Sequence, residues 1–223
     1  MLKTRINGST RDYVYQTIKK RIIYLELKPG TKISEKEIAE NLEVSRTPVR
    51  EAFIKLAQEE LVGIYPQSGT IVSKIDLGHV EEARFARENI ERAIVRMACT
   101  DFDDEQLFGL ETNIALQELC LGKEGTHHRL FDLDEEFHKR LYEGCNKLRI
   151  YKMIQQMNSH FDRLRVLRLA TNTDWNVVVS QHKEIYQAIV ERNMDKAEKL
   201  MVNHLKLVNF EKDELKFRYP DYF

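Results

Sequence analysis

The sequence has no apolar run long enough to span a bilayer, and its opening residues, MLKTRINGSTRDY, lack the apolar stretch of an export signal. A cytoplasmic protein is expected. The three cysteines, Cys99, Cys120 and Cys145, are odd in number, widely spaced and without a CxxC, so reduced thiols are expected and a thiolate zinc or redox site is not. No HExxH is present to frame the general base of a metalloprotease. Beyond Asp76 the strand-like alternation of apolar and polar residues is missing, which argues against a β-rich second half. What is there, 223 residues with 42% apolar and 32% charged, suits one large globular domain or two modest ones.

The net charge of −1 hides an asymmetry. Residues 1–75 hold 13 Lys or Arg against 9 Asp or Glu, an excess of +4, while the remainder holds 22 against 27, an excess of −5. A small basic module joined to a larger acidic one places the first part nearer a polyanion. In that part an amphipathic helix is expected over about 11–25, with Val14, Ile18, Ile22 and Leu25 on one face, ended by LKPG. Ser34, with Glu37 three residues on, has the pattern of a capping box for a short second helix. Ser45 can cap a third, with Pro48 in its first turn and Val49, Phe53, Leu56 and Ala57 as the inner stripe. The segment LVGIYPQSGTIVSKI reads as a hairpin about Pro66–Gly69. The order helix, short helix, turn, helix, hairpin is the plan of a winged helix-turn-helix.

From Asp76 onward, segments 76–98, 103–121, 126–144, 147–168, 174–192 and 194–215 all carry helical periodicity, separated by short breaks such as LGKEG and ATNTD. The fold class expected is therefore mostly α: a winged helix-turn-helix over 1–75 and an antiparallel helical bundle with an interior pocket over 76–223.

In a helix-turn-helix the second helix of the pair enters the major groove with its N-terminal residues toward bases and phosphates. Arg46 and Arg50, four apart, share the face opposite the apolar stripe. An arginine fork can bridge guanine O6 and N7, and Thr47 with the helix amides can meet phosphate. Lys36 can neutralise backbone charge, and Lys32 and Lys74 can do so less specifically. The same arginines could instead pair with Glu51 or Glu43 on a solvated face, or serve a protein–protein contact.

Further along, LDLDEEFHKRL places Asp134 and His138 at i and i+4 on one helix face, and two later helices supply His182 and His204. Converging, one carboxylate and three imidazoles would bind a divalent cation such as zinc, nickel or manganese. Taken separately, an inward histidine in a helix is more often a satisfied core or interface residue, and spacing alone does not bring the three helices together.

The stretch LKPGTKISEKEIAENLEVSRTPVREAFIKLAQEELVGIYPQSGTIVSKI resembles the DNA-binding domain of the GntR family of bacterial transcriptional regulators. Residues from about 78 to 210 resemble the all-helical ligand-binding domain of its FadR branch in the metal-containing, FCD-type variety, on the strength of LDxxFH and the two later histidines. The resemblance implies a homodimeric, effector-responsive regulator on a palindromic operator, rather than an enzyme. It carries DNA contact to Lys36, Arg46, Thr47 and Arg50 with Gly69 at the wing tip, and metal ligation to Asp134, His138, His182 and His204, zinc first among the candidate ions. It places Arg87 and Glu91 near the cavity, where an arginine favours a small carboxylate or sugar-acid effector. Asn146, Arg163 and Arg165 are further effector-binding candidates. Two departures touch the DNA side: Lys36 stands where the family has arginine, leaving a point charge in place of a fork, and PQSG lacks the basic residue of many wings. A third, Gln181 where the family has glutamate, bears on what surrounds the metal. A hydrolytic metal centre and a purely structural metal are the competing readings.

Overall fold

The computed structural model describes residues 9–67, 69–170, 175–207 and 212–223. The chain divides into two compact units, the first running to Leu77 and taking in Lys216–Phe223, the second spanning Gly78–Leu215. The last eight residues, which sequence reasoning assigns to the bundle, thus belong with the first unit. There the Ile75 amide donates to the Tyr222 carbonyl (2.7 Å) and Lys74 Nζ to the Phe223 carbonyl (2.9 Å).

In the first unit α1 (Thr10–Ile23) starts where the Ser9 hydroxyl accepts from the Asp12 amide, and it buries Val14, Ile18 and Ile22. It ends two residues before the expected Leu25, which adopts a φ of 59° and leaves the apolar stripe, while Leu27 is buried in its stead. Helix α2 (Glu35–Asn41) is capped by the Ser34 hydroxyl, which accepts from the Lys36 and Glu37 amides. Helix α3 (Arg46–Gln58) packs on α1 through Val49, Ala52, Phe53 and Leu56. Burying Phe53 and Leu56 contributes roughly 1.5–3 kcal/mol each. Ser45 occupies the position before α3 in extended conformation, but its side chain makes no cap hydrogen bond, contrary to expectation. The first amides of α3 are therefore left without a side-chain acceptor there.

Strands β2 (Val62–Tyr65) and β3 (Gly69–Val72) form the expected hairpin, with Tyr65 opposite Gly69; Ser68 of its turn lies outside the described residues. A third strand, β1 (Lys32–Ile33), was not legible in two residues of sequence. It pairs antiparallel with β3, Lys32 opposite Ile71, giving the sheet order β1-β3-β2. The first unit is a winged helix-turn-helix.

The second unit is helical: α4 (Leu77–Asp101), α5 (Asp104–Cys120), α6 (His127–Gly144), α7 (Leu148–Met157), α8 (Ser159–Ala170), α9 (Trp175–Val190), α10 (Met194–Lys206) and α11 (Lys212–Arg218), the last running on into the first unit. Asp103 and Gln106 form a reciprocal capping box at the start of α5. The segment expected as one helix over 147–168 is two, parted at Asn158. Its apolar spacing, with Ile154, Phe161 and Leu164 all buried, runs through the break and conceals it. The stretch 194–215 is likewise two helices, with 208–211 outside the described residues, as is 171–174 of the expected ATNTD break. Ile94, Leu110, Phe137, Leu141, Ile185 and Met201 are among the residues of the bundle core. Gly144 is required at the end of α6, since a Cβ there would lie 2.5 Å from the Phe102 ring. None of the described helices is long and apolar enough to cross a membrane.

Candidate metal centre and nucleic-acid interface

In the second unit α6 presents Asp134 and His138 one turn apart, α9 presents His182 and α10 presents His204, all four buried. Their ligand atoms lie within 4.8 Å of one another. The Nε2 atom of His204 is 3.1 Å from that of His138 and 3.3 Å from that of His182, and Asp134 Oδ1 is 3.6 Å from His182 Nε2. The edge of a tetrahedron of zinc-bound nitrogens is about 3.3 Å.

The other nitrogen of each ring decides what the first can do. His138 Nδ1 is 2.6 Å from Glu91 Oε2, His182 Nδ1 is 2.8 Å from Gln117 Oε1, and His204 Nδ1 is 3.0 Å from Gln181 Oε1. For His182 the tautomer follows from a buried chain. The Gln117 amide nitrogen donates to Asn113 Oδ1 (2.7 Å) and the Asn113 amide nitrogen to the Leu133 carbonyl (3.0 Å), so Gln117 turns its oxygen to the ring. With the proton on Nδ1, each Nε2 offers a bare lone pair to the shared centre. Three lone pairs and a carboxylate facing one point are mutually repulsive without a cation, so the donor set fits a divalent metal.

Electrostatics agree. Burial drives His182 down to about 3 and His204 well below the usual imidazole range, keeping both neutral. Burial alone would raise Asp134 and Glu91. The Arg165 guanidinium outweighs it at Asp134 and holds that carboxyl well below its ordinary value, while Arg87 and His138 hold Glu91 near 2. An unfolded histidine protonates near 6.5, whereas folded His182 does so only near 3. Between those values the unfolded chain binds more protons, so the stability of metal-free protein falls as pH drops through 6.5 toward 3. The depressed carboxylates contribute to this loss only below about pH 4. Thermal melts of chelated protein should give a lower Tm at pH 5.5 than at 7.5, with a smaller difference in His182→Gln. A pH-independent Tm over that range would rule out buried neutral imidazoles.

A cavity beside the four residues is lined by Asp134, His138 and His204 and by Arg87, Arg165 and Trp175. Arg165 donates to Asp134, Glu135 and Asp162. Arg87 Nε donates to Glu91 (2.8 Å) and its Nη1 lies 3.8 Å from Glu135 Oε1; among the described residues neither that buried Nη1 nor the buried Trp175 Nε1 has a hydrogen-bond acceptor. Of the effector-binding residues expected from sequence, Arg87 and Arg165 stand on this wall. Glu91 lies behind it, orienting His138. Asn146 is on the surface, in the left-handed conformation (φ 55°) that ends α6, where asparagine is favoured. Arg163 is fully buried in α8 and off the cavity wall, its pKa lowered to about 10 by burial. Sequence reasoning missed Gln117, Asn113, Glu135 and Trp175. Glutamine and asparagine on the inner face of α5 are the signal that could have found the first two. His79 and His160 pack edge to face with ring centres 5.0 Å apart, and His127 and His128 are exposed at the start of α6.

In the first unit Arg46, Thr47 and Arg50 are exposed together on α3, and Lys36 is exposed on α2, 3.9 Å from Glu40. Neither pairing with Glu51 nor with Glu43 occurs at Arg50. Its guanidinium instead meets Glu35, Nε to Oε1 at 3.1 Å and Nη2 to Oε2 at 3.0 Å, while Glu51 faces Arg11 at 3.9 Å. Gly69 has a φ of 93°, and a Cβ there would touch Lys32 Cε at 3.0 Å. Lys32 thus lies over the wing tip, where the turn itself has no basic residue. Lys74, bonded to the Phe223 carbonyl, is drawn to the chain's last residues.

Residues 10–72 match the family described as bacterial regulatory proteins, gntR family, and residues 82–207 match the FCD domain. The chain is 30% identical to the HTH-type transcriptional repressor RspR of Escherichia coli (strain K12) over all of this chain and 98% of the relative. It is 34% identical to an HTH-type transcriptional regulator in an unstable DNA locus of Streptomyces ambofaciens, over 97% of this chain and 91% of the relative. Among solved structures, E. coli McbR/YncC superposes with a TM-score of 0.76 at 19% identity, covering 95% of this chain and 99% of that one, a likeness of fold.

Proposed function

The chain belongs to the gntR family of bacterial regulatory proteins and carries an FCD domain, and we propose that it is a metal-dependent sensor of small organic acids. It is a DNA-binding transcriptional regulator. In our reading Asp134, His138, His182 and His204 hold one divalent cation, zinc first, with nickel or manganese as alternatives. Such a cation supplies positive charge and open coordination positions for an anionic oxygen. Arg87 and Arg165 offer N–H donors to the effector, a small carboxylate or sugar acid.

The observation that carries this reading is the cavity wall. The Asp134, His138 and His204 ligands share it with Arg87 and Trp175, whose buried Nη1 and Nε1 have no hydrogen-bond acceptor among the described residues, Glu135 Oε1 lying 3.8 Å from Arg87 Nη1. A buried donor left unmatched costs roughly 1–3 kcal/mol, which an oxygen-bearing ligand would recover. Arg165 holds the same carboxylate, Asp134, that belongs to the ligand set. Arg165 donates to Oδ2 of that carboxylate, while Oδ1 is the oxygen 3.6 Å from His182 Nε2, so the guanidinium would steady Asp134 while Oδ1 met the ion. A purely structural metal gives no reason for arginines and a tryptophan N–H on the residues that line the cavity, and a hydrolytic centre gives the winged module no role.

On the DNA side we assign Lys36, Arg46, Thr47 and Arg50 to the major groove and its phosphates and Gly69 to the wing contact. A homodimer would set two α3 helices along a palindromic site, and cytoplasmic location follows from that task.

Trp175 is the single tryptophan of the chain, so its emission reports on this cavity alone. Titration of the metal-loaded protein with a panel of carboxylic and sugar acids should change that emission and raise Tm with at least one of them. Arg87→Gln should weaken the same acid about tenfold or more, the loss of a charged hydrogen bond. If metal binds while every acid leaves emission and Tm unchanged, the sensor reading is wrong.

A further inference from the structure

The two-point contact between Arg50 and Glu35 joins α3 to α2 across the helix-turn-helix. It uses one edge of the guanidinium, Nε and the near hydrogen of Nη2. Five N–H donors lie in the plane of that group. The end edge, Nη1 with the far hydrogen of Nη2, keeps two parallel donors, which is the arrangement that bridges guanine O6 and N7. Arg50 is 66% exposed and Glu35 30%, so the pair is worth little to folding. What it does is remove rotamer freedom from a long side chain before binding, and ordering such a side chain otherwise costs affinity.

The carboxylate has a second effect. Close to the face that meets DNA it repels phosphate, whatever the base sequence. That penalty is offset only where a guanine accepts the fork it holds in place, so it falls mainly on wrong sites. Among the described residues Glu51 lies against Arg11 and Glu40 against Lys36, and Glu35 is the carboxylate that meets Arg50.

We propose that Glu35 is a positioning residue for base reading: it holds one edge of the Arg50 guanidinium, so that the other reads a guanine, and it thereby sets the ratio of specific to non-specific DNA binding. This rests on α3 being the groove helix.

The test uses the full-length protein and a duplex selected by the wild type from a random pool, with a scrambled duplex as control. Fluorescence anisotropy then compares wild type with Glu35→Gln, which keeps the side-chain shape, and with Glu35→Ala. Both variants should bind the scrambled duplex more tightly, and their specific-to-non-specific ratio should fall about tenfold. Base substitution along the selected duplex should show sensitivity lost at one G·C pair per half-site and kept at the others. The Tm should stay unchanged. Equal weakening on both duplexes, an unchanged ratio, or sensitivity lost uniformly along the site would overturn the proposal while leaving α3 as the groove helix. A wild type that selects no duplex would overturn the groove-helix assignment and this proposal with it.

Discussion

Replacing Arg46 with alanine is expected to weaken binding to the operator by about 5- to 150-fold at physiological salt, the range of one lost base contact. Arg46 is the first residue of α3, exposed, and without an ion pair among the described residues, so its guanidinium has no role in the fold that its removal would disturb. Arg50→Ala should cost a similar factor and should relax the base preference at one position. Lys36→Ala should behave differently. A lysine on a phosphate carries no sequence information, so affinity should fall alike on all duplexes, with the salt slope reduced by about one. Anisotropy titrations at several salt concentrations separate these outcomes. Equal loss from all three variants on every sequence would mean that α3 touches only the backbone.

The second large effect is expected at the metal. His138→Ala combined with His182→Ala should take the metal content of purified protein from about one ion per chain to none, measured by elemental analysis. Two of four donors are then gone, and the remaining pair from Asp134 and His204 cannot close a site. Loss of a ligand present at about 100 times its dissociation constant lowers stability by about 2.7 kcal/mol. Gln117→Ala should show the same trend more weakly, about 10- to 100-fold in metal affinity, because the His182 ring then loses the acceptor that fixes its tautomer. Unchanged metal content in the double variant would mean that the ion binds elsewhere.

How much of this was legible beforehand depended on distance along the chain. Ser34, Pro48 and the α3 apolar stripe act within a few residues, so the winged module could be read from local pattern. The Asp134–His138 pair was legible for the same reason. The convergence of His182 and His204 on that pair depends on helix packing, which spacing does not encode, and the family resemblance supplied it. The orienting groups were harder still. Glu91, adjacent in pattern to Arg87, looks like a cavity residue, yet it spends its carboxylate on His138. Gln117 and Asn113 look like polar residues on an ordinary helix until the bundle closes around them. Sequence also could not choose a partner for Arg50. Glu51 and Glu43 are nearer along the chain, but Glu35 is brought opposite by the turn between α2 and α3. The break at Asn158 was hidden because the apolar spacing runs through it, and the return of Lys216–Phe223 to the first unit depends on contacts with Lys74 and Ile75 far back in the chain, which local pattern does not encode.

In the function proposed above, the metal centre and its cavity govern what the winged module does on DNA. The most direct measurement is operator affinity by anisotropy, with and without an acid that shifts the Trp175 emission, in the metal-loaded wild type and in the His138→Ala, His182→Ala protein. The expected result is an acid-dependent change in affinity in the wild type and none in the double variant, since a ligand alters occupancy only through differential binding to two states. An acid response of the same size in the metal-free double variant would contradict it.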